Sequence, residues 1–230
     1  MDDDSDSLLA RARALLAAPD EPTRLRGVHA LRDDVADHAA AAAELVLLLG
    51  APGDYVPQAA RAALQDLGAD AVPALVAALA AADPVVRRSA AWALARDGVD
   101  PGDAARSALR RAAADTDAAV RQAAAGAFGR IAAPADVACE ALVALAQDRE
   151  WRVREQAVHS LAPHVAAHPH LLDALEDAQP AVRAAAAEAL ARQPLDAAAL
   201  ARVQRALDEE PSPHVAAPLR ALLERREVVP

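Results

Sequence analysis

The sequence predicts an all-α fold, an α-solenoid of about seven stacked helical hairpins, on three observations. First, the pattern Val86-Arg87-Ala90-Ala93-Leu94 recurs along the whole chain. Second, the apolar residues, 54% of the chain, are mostly Ala, Leu and Val, with only 2% aromatics. That composition suits closely approaching helices, because alanine has the best helix propensity and strands favour β-branched and aromatic residues. Third, helix-start signals precede several copies. Asp83-Pro84 and Ser212-Pro213 set a capping side chain before a proline at the first helical position, and Asp20 and Asp117 are also placed to cap.

The clear copies begin at Val86, Val120, Val153 and Val182, each followed by arginine, and weaker ones begin at Thr23, Val56 and Val215. Successive starts lie 33, 30, 34, 33, 29 and 33 residues apart. Within each copy, offsets 0, 4, 7 and 8 mark one face of a helix, and the mostly small residues at 4 and 7 allow neighbouring helices to approach. Other apolar helical segments lie between the copies, at 8–18, 41–50, 71–82, 103–114, 136–147 and 195–207. A shorter one around His170–Asp177 accounts for the 29-residue spacing. Each unit is therefore helix, turn, helix, with approximate bounds 5–37, 38–68, 69–98, 101–132, 134–166, 168–194 and 195–227. One such hairpin cannot bury its apolar face alone and a stack can, so the expectation is a single domain over 1–230.

The stretches DPVVRRSAAWAL and DTDAAVRQAAAGAFG resemble HEAT repeats of the phycobilisome-lyase type, and the resemblance extends over nearly all of the chain. It implies an Asp–Arg ladder between neighbouring units, which makes Asp83, Asp117, Arg87, Arg121, Arg154 and Arg183 structural, with departures at Pro57 and Ala216. For function it implies little, since such repeats occur in scaffolds, in bilin lyases, in a di-iron hydroxylase and, more distantly, in DNA-repair glycosylases. The hydroxylase uses repeated His-Glu dipeptides, and this chain has none. A bilin-lyase-like subunit or cofactor-protein chaperone is the alternative reading to a scaffold, followed by a glycosylase-like DNA binder.

Charge argues against nucleic acid. The net charge is −10 and every one of the 24 basic residues is arginine, so most of the surface repels phosphate backbones and anionic membranes. Cys139 is the only cysteine, which makes a reducing compartment the natural reading. The N-terminal MDDDSDSLLARARALLAA is acidic ahead of its apolar run, unlike a secretory signal, and no run approaches membrane-spanning length; a cytoplasmic location is expected. Phosphate loops, nucleophile elbows and zinc-protease pairs are absent from the sequence. Cys139 sits on an apolar helical segment and reads as a buried structural thiol. His159, His164, His168 and His170 cluster, but Pro163 and Pro169 interrupt the helix that would align them, so a helix end and turn is the reading. No catalytic residue, cofactor or metal is expected.

Binding is expected on the concave side, which in such stacks the second helices line. Offsets 2, 6 and 10 lie off the core stripe and should face that groove. Across the stack they read Leu25-His29-Asp33, Gln58-Ala62-Asp66, Arg88-Trp92-Arg96 and Gln122-Gly126-Arg130, then Glu155-His159-Pro163, Ala184-Glu188-Arg192 and Ala217-Ala221-Arg225. Trp92 stands between the shallow positions Ala62 and Gly126, with Arg88 and Arg96 one turn either side and Arg130 continuing the positive stripe. The candidate partner-binding residues are Arg88, Trp92, Arg96, Arg130 and His159, an aromatic and cationic set of the kind enriched at contact hot spots. The expected partner is another protein, through an acidic or amphipathic segment. The competing reading has Trp92 covering its own helix under a stacked Arg88 or Arg96. Trp151, at a helix start, reads as packing at a turn between repeats.

Overall fold

The computed structural model describes residues 2–53, 55–132 and 135–227, with side chains over 6–53, 55–132 and 137–224. Every element among the described residues is helical. The chain divides into two compact units, 1–132 and 133–230. The first holds four hairpins: α1 (Asp2–Leu16) with α2 (Glu21–Asp33), α3 (His38–Leu47) with α4 (Tyr55–Leu67), α5 (Val72–Ala78) with α6 (Pro84–Leu94), and α7 (Asp103–Ala113) with α8 (Ala118–Phe128). The second holds three: α9 (Ala135–Leu145) with α10 (Trp151–Leu161), α11 (His168–Asp173) with α12 (Pro180–Leu190), and α13 (Ala197–Glu209) with α14 (Pro213–Glu227). Single turns of 3₁₀-helix precede α5 and flank the short α11.

The repeat pattern builds the core. At offset 8, Leu31, Leu64, Leu94, Phe128, Leu161 and Leu190 are all buried, as are Val56, Val120, Val153, Val182 and Val215 at offset 0; Val86 is only half-buried. Ala60, Ala90, Ala124, Ala157 and Ala186 at offset 4 are fully buried, which is the consequence of second helices packing on one another through small side chains. Within the first unit α2, α4, α6 and α8 pack more extensively in their row than α3, α5 and α7 do in theirs.

Helix starts follow the expected chemistry. Oδ1 of Asp20 accepts from the Thr23 N–H at 2.8 Å, that of Asp83 from Val85 at 2.8 Å, and that of Asp117 from Ala119 and Val120 at 2.8 and 3.1 Å. The ladder differs from expectation. Asp83 and Asp117 cap their own helices, and the acids that receive the arginines are others. The Arg87 Nε donates to Asp115 at 2.7 Å, Arg154 to Asp177 at 2.7 Å and Arg183 to Glu210 at 2.7 Å, each with a second bond from Nη2 at 2.8 Å.

The third nitrogen, Nη1, ties each arginine to its own turn. Arg87 donates to the carbonyls of Ala81 and Ala82, Arg121 to Asp115 and Thr116, Arg154 to Asp148 and Arg149, and Arg183 to Asp177 and Ala178. Every ladder acid also accepts the backbone N–H two residues on, at Asp117, Gln179 and Ser212. The bonds from Arg87 and Arg183 hold the Asp115 and Glu210 carboxyls below their ordinary values. At Asp177 burial pushes upward, and the Arg154 bond and the Gln179 N–H outweigh it, so its value too is lowered.

Candidate functional site

The stripe at offsets 2, 6 and 10 does lie off the core: its described members are exposed or half-buried, with one exception. The exception is Gly126, which is buried because the Trp92 ring lies on it. A Cβ at Gly126 would sit 2.4 Å from Cη2 and 2.7 Å from Cζ3 of Trp92. Trp92 is half-buried, and its large ring is accommodated by the missing side chain of the next hairpin. It thus seals α6 against α8, a role that neither the free-anchor reading nor the arginine-stacked one anticipates. The cation–π contact recorded among the described residues is instead at Trp151, with the Arg152 guanidinium carbon 4.5 Å from the ring centroid.

The four charged candidates have separate fates. Arg88, on α6, is exposed, and among the described residues its side chain has no ion pair or hydrogen bond. It lines a depression of about 330 Å³ with Pro57, Gln58, Arg61, Val85 and Ser89. Arg96, just past α6, lies back across Gly68, whose φ of +66° and lack of a side chain both suit glycine; a Cβ there would meet its Nη1 at 2.9 Å. It borders a cavity of about 300 Å³ walled by Leu64, Val72, Leu94, Val99 and Asp100, the last paired with Arg106, and among the described residues Arg96 forms no ion pair. Arg130 is exposed but paired, its Nε and Nη2 donating to Asp97 at 2.7 and 3.1 Å. That pairing holds the Asp97 carboxyl below its ordinary value, and the Arg130 carbonyl accepts the Gly98 N–H at 2.8 Å. Arg130 therefore fastens the loop after α6 and adds no free charge to the stripe. His159 is exposed on α10, in the second unit, whereas the other four candidates belong to the first.

Sequence reasoning misses Arg61, which lies at offset 5 of its helix and so outside the stripe of offsets 2, 6 and 10. It is half-buried, forms no ion pair among the described residues, and shares the depression with Arg88. The pairing of Arg130 was missed for another reason: Asp97 lies 33 residues earlier, one repeat away. Arg13–Glu44 and His38–Asp70, 31 and 32 apart, pair in the same way.

Among the described residues no group of three or more His, Cys, Asp or Glu is arranged to hold a metal ion. The cluster from His159 to His170 forms the end of α10, a 3₁₀ turn over Val165–Ala167 and the start of α11. Burial pushes the His164 imidazole below its ordinary value. Cys139 is half-buried, less enclosed than expected, and burial pushes its thiol upward. No helix among the described residues is long and apolar enough to cross a membrane.

Comparison with known proteins bears on the fold. An engineered protein is 24% identical, covering 96% of this chain and 97% of its own, with a TM-score of 0.54. A designed armadillo repeat protein solved in complex with the peptide (KR)4 is 23% identical over 79% of this chain and 98% of its own, with a TM-score of 0.54. The Escherichia coli protein YibA is 18% identical over 96% and 82%, with a TM-score of 0.53. At these identities the likeness is one of architecture. No curated protein matches the chain. The family models described as HEAT repeats and HEAT repeat match residues 72–162 and 169–192, together half of the sequence. With the arginine ladder and the seven hairpins, these matches make the chain a HEAT-repeat protein.

Proposed function

We propose that the chain is a non-catalytic scaffold or adaptor, which takes a segment of a partner protein on the concave, second-helix face of its first unit, across Arg88, Trp92 and Arg96. One observation carries this reading. Arg88 on α6 and Arg96 just beyond its end, on either side of a half-buried aromatic, have no acidic partner among the described residues, whereas Arg130, the counterpart of Arg96 in the next repeat, does. Unpaired guanidinium groups beside an aromatic surface suit carboxylate-bearing, partly apolar chain. Arg130 supports the site by holding the loop that follows Arg96. His159 would be a contact only for a partner that also reaches the second unit. A designed armadillo repeat protein of similar architecture was solved in complex with a peptide, the basic (KR)4, which supports peptide recognition by a helical stack but not the sign of the charge recognised.

The test is affinity capture from cells of the native host with wild-type protein and with Arg88→Glu/Arg96→Glu. Loss of the proteins retained by the wild type is the expected result, and undiminished retention overturns the reading. Trp92→Ala is a poor probe here, because it also unseals α6 from α8.

A further inference from the structure

We propose that the depression between α4 and α6 is a subsite for the carboxylate side chains of an acidic segment, with Arg61 and Arg88 as its anion-binding residues. The inference rests on the partner-binding reading and makes it more specific. Arg61 enters from α4 and Arg88 from α6, and both line the same space of about 330 Å³. Gln58 and Ser89 give the wall polar groups, Ala51, Gly53 and Pro57 are small or compact, and Leu49 and Val85, the latter 42% exposed, are apolar.

Arg87, Arg106, Arg130, Arg154, Arg183 and Arg202 are each ion-paired, whereas among the described residues neither Arg61 nor Arg88 is. Among the described residues no carboxylate lines the depression that these two arginines share. Among the described residues two carboxylates approach the loop before α4. Asp83, whose Oδ2 lies 3.0 Å from a Cβ placed on Gly50, caps α6 through Oδ1, and neither it nor Glu21, 3.4 Å from a Cβ placed on Gly53, forms an ion pair with Arg61 or Arg88.

The two like charges repel each other across a shared concavity, and an anion between them relieves that repulsion while accepting charge-assisted hydrogen bonds. The partner-binding reading calls for a protein segment, which supplies carboxylates, and a phosphate chain is the competing occupant that the test must separate from it. At about 0.1 M salt, with a Debye length of about 10 Å, remote acids are largely screened and the local pair decides.

The probe is fluorescein-labelled octaglutamate, titrated into the full-length protein at about 0.1 M salt and followed by anisotropy. Binding is expected, weakened at least tenfold by Arg61→Gln and by Arg88→Gln and unchanged by Arg205→Gln, which removes an exposed charge in the second unit. Circular dichroism of each variant checks that it remains folded. The proposal is overturned if octaglutamate binds no better than octaglutamine, if Arg205→Gln weakens it equally, or if octathymidylate binds more tightly. Sensitivity of octaglutamate to Arg61→Gln, with native partners still held by Arg88→Glu/Arg96→Glu, keeps the subsite and removes the partner-binding reading. Loss of native partners with octaglutamate indifferent to Arg61→Gln does the reverse.

Discussion

Trp92 and Gly126 form one packing unit, so a mutation at either depends on the other. A methyl group added at Gly126 meets the ring at 2.4 Å, and the ring is rigid. Overpacking of this kind costs about 1–3 kcal/mol, and leaving glycine in a helix returns ~1 kcal/mol. Gly126→Ala should therefore destabilise the wild type. In a Trp92→Ala background the obstruction is gone and only the helix-propensity gain remains, so the same substitution should stabilise by ~1 kcal/mol. Urea midpoints of the four proteins, followed by circular dichroism, check this reversal of sign. The pair was half visible in the sequence: Trp92 and Gly126 stood out at equivalent offsets in adjacent repeats, but spacing alone does not say whether a ring leans on its neighbour or points away. Arg130 shows the same limit, since its charge is visible in the sequence and the acid that neutralises it is one repeat earlier.

Between elements, the ladder is the device that repeats most faithfully, and its rule is sharper than the Asp–Arg pattern suggested. An acid stands six residues before the arginine position of each later unit: Asp115 before Arg121, Asp148 before Arg154, Asp177 before Arg183 and Glu210 before Ala216. The acids at 115, 177 and 210 receive the arginine of the preceding hairpin. At the corresponding positions 51 and 81 the chain has alanine, and Arg24 binds only the carbonyls of Ala18 and Pro19. The spacing was present in the sequence, but the adjacent capping Asp is the more conspicuous acid and drew the assignment.

Arg87 and Asp115 are 14% and 12% exposed, so their bonds are largely shielded from water. Asp115→Ala leaves the guanidinium edge unpaired and should cost about 1–3 kcal/mol. Since the folded carboxyl lies below its unfolded value of about 3.9, the rung contributes fully above that pH. Its contribution is lost as pH falls through the lowered folded value. Replacing the rung with Arg87→Met/Asp115→Leu should leave stability at neutral pH within ~1 kcal/mol of wild type or above it, and should flatten the decline in acid. Urea titrations at neutral pH and near pH 3 measure both effects.

Over the whole molecule, the seven hairpins were legible because each repeats one pattern, so a weak signal in one copy is supported by the strong ones. The division into units 1–132 and 133–230 was not legible, since no composition shift marks it. In a stack whose units contact mainly their neighbours, stability is a sum of local terms, and a single unfolding midpoint need not describe the chain. The two tryptophans fall one in each unit, Trp92 in the first and Trp151 in the second. Trp151→Phe leaves a reporter of the first unit, and Trp92→Phe leaves a reporter of the second. Asp115→Ala removes a rung that lies wholly within the first unit, so it should lower the fluorescence midpoint in urea read by Trp92 and leave that read by Trp151 nearly unchanged. Glu210→Ala, which breaks the rung from Arg183, should do the opposite. Equal displacement of both reporters by either substitution would show one cooperative block, in which damage to any rung is shared by all seven hairpins.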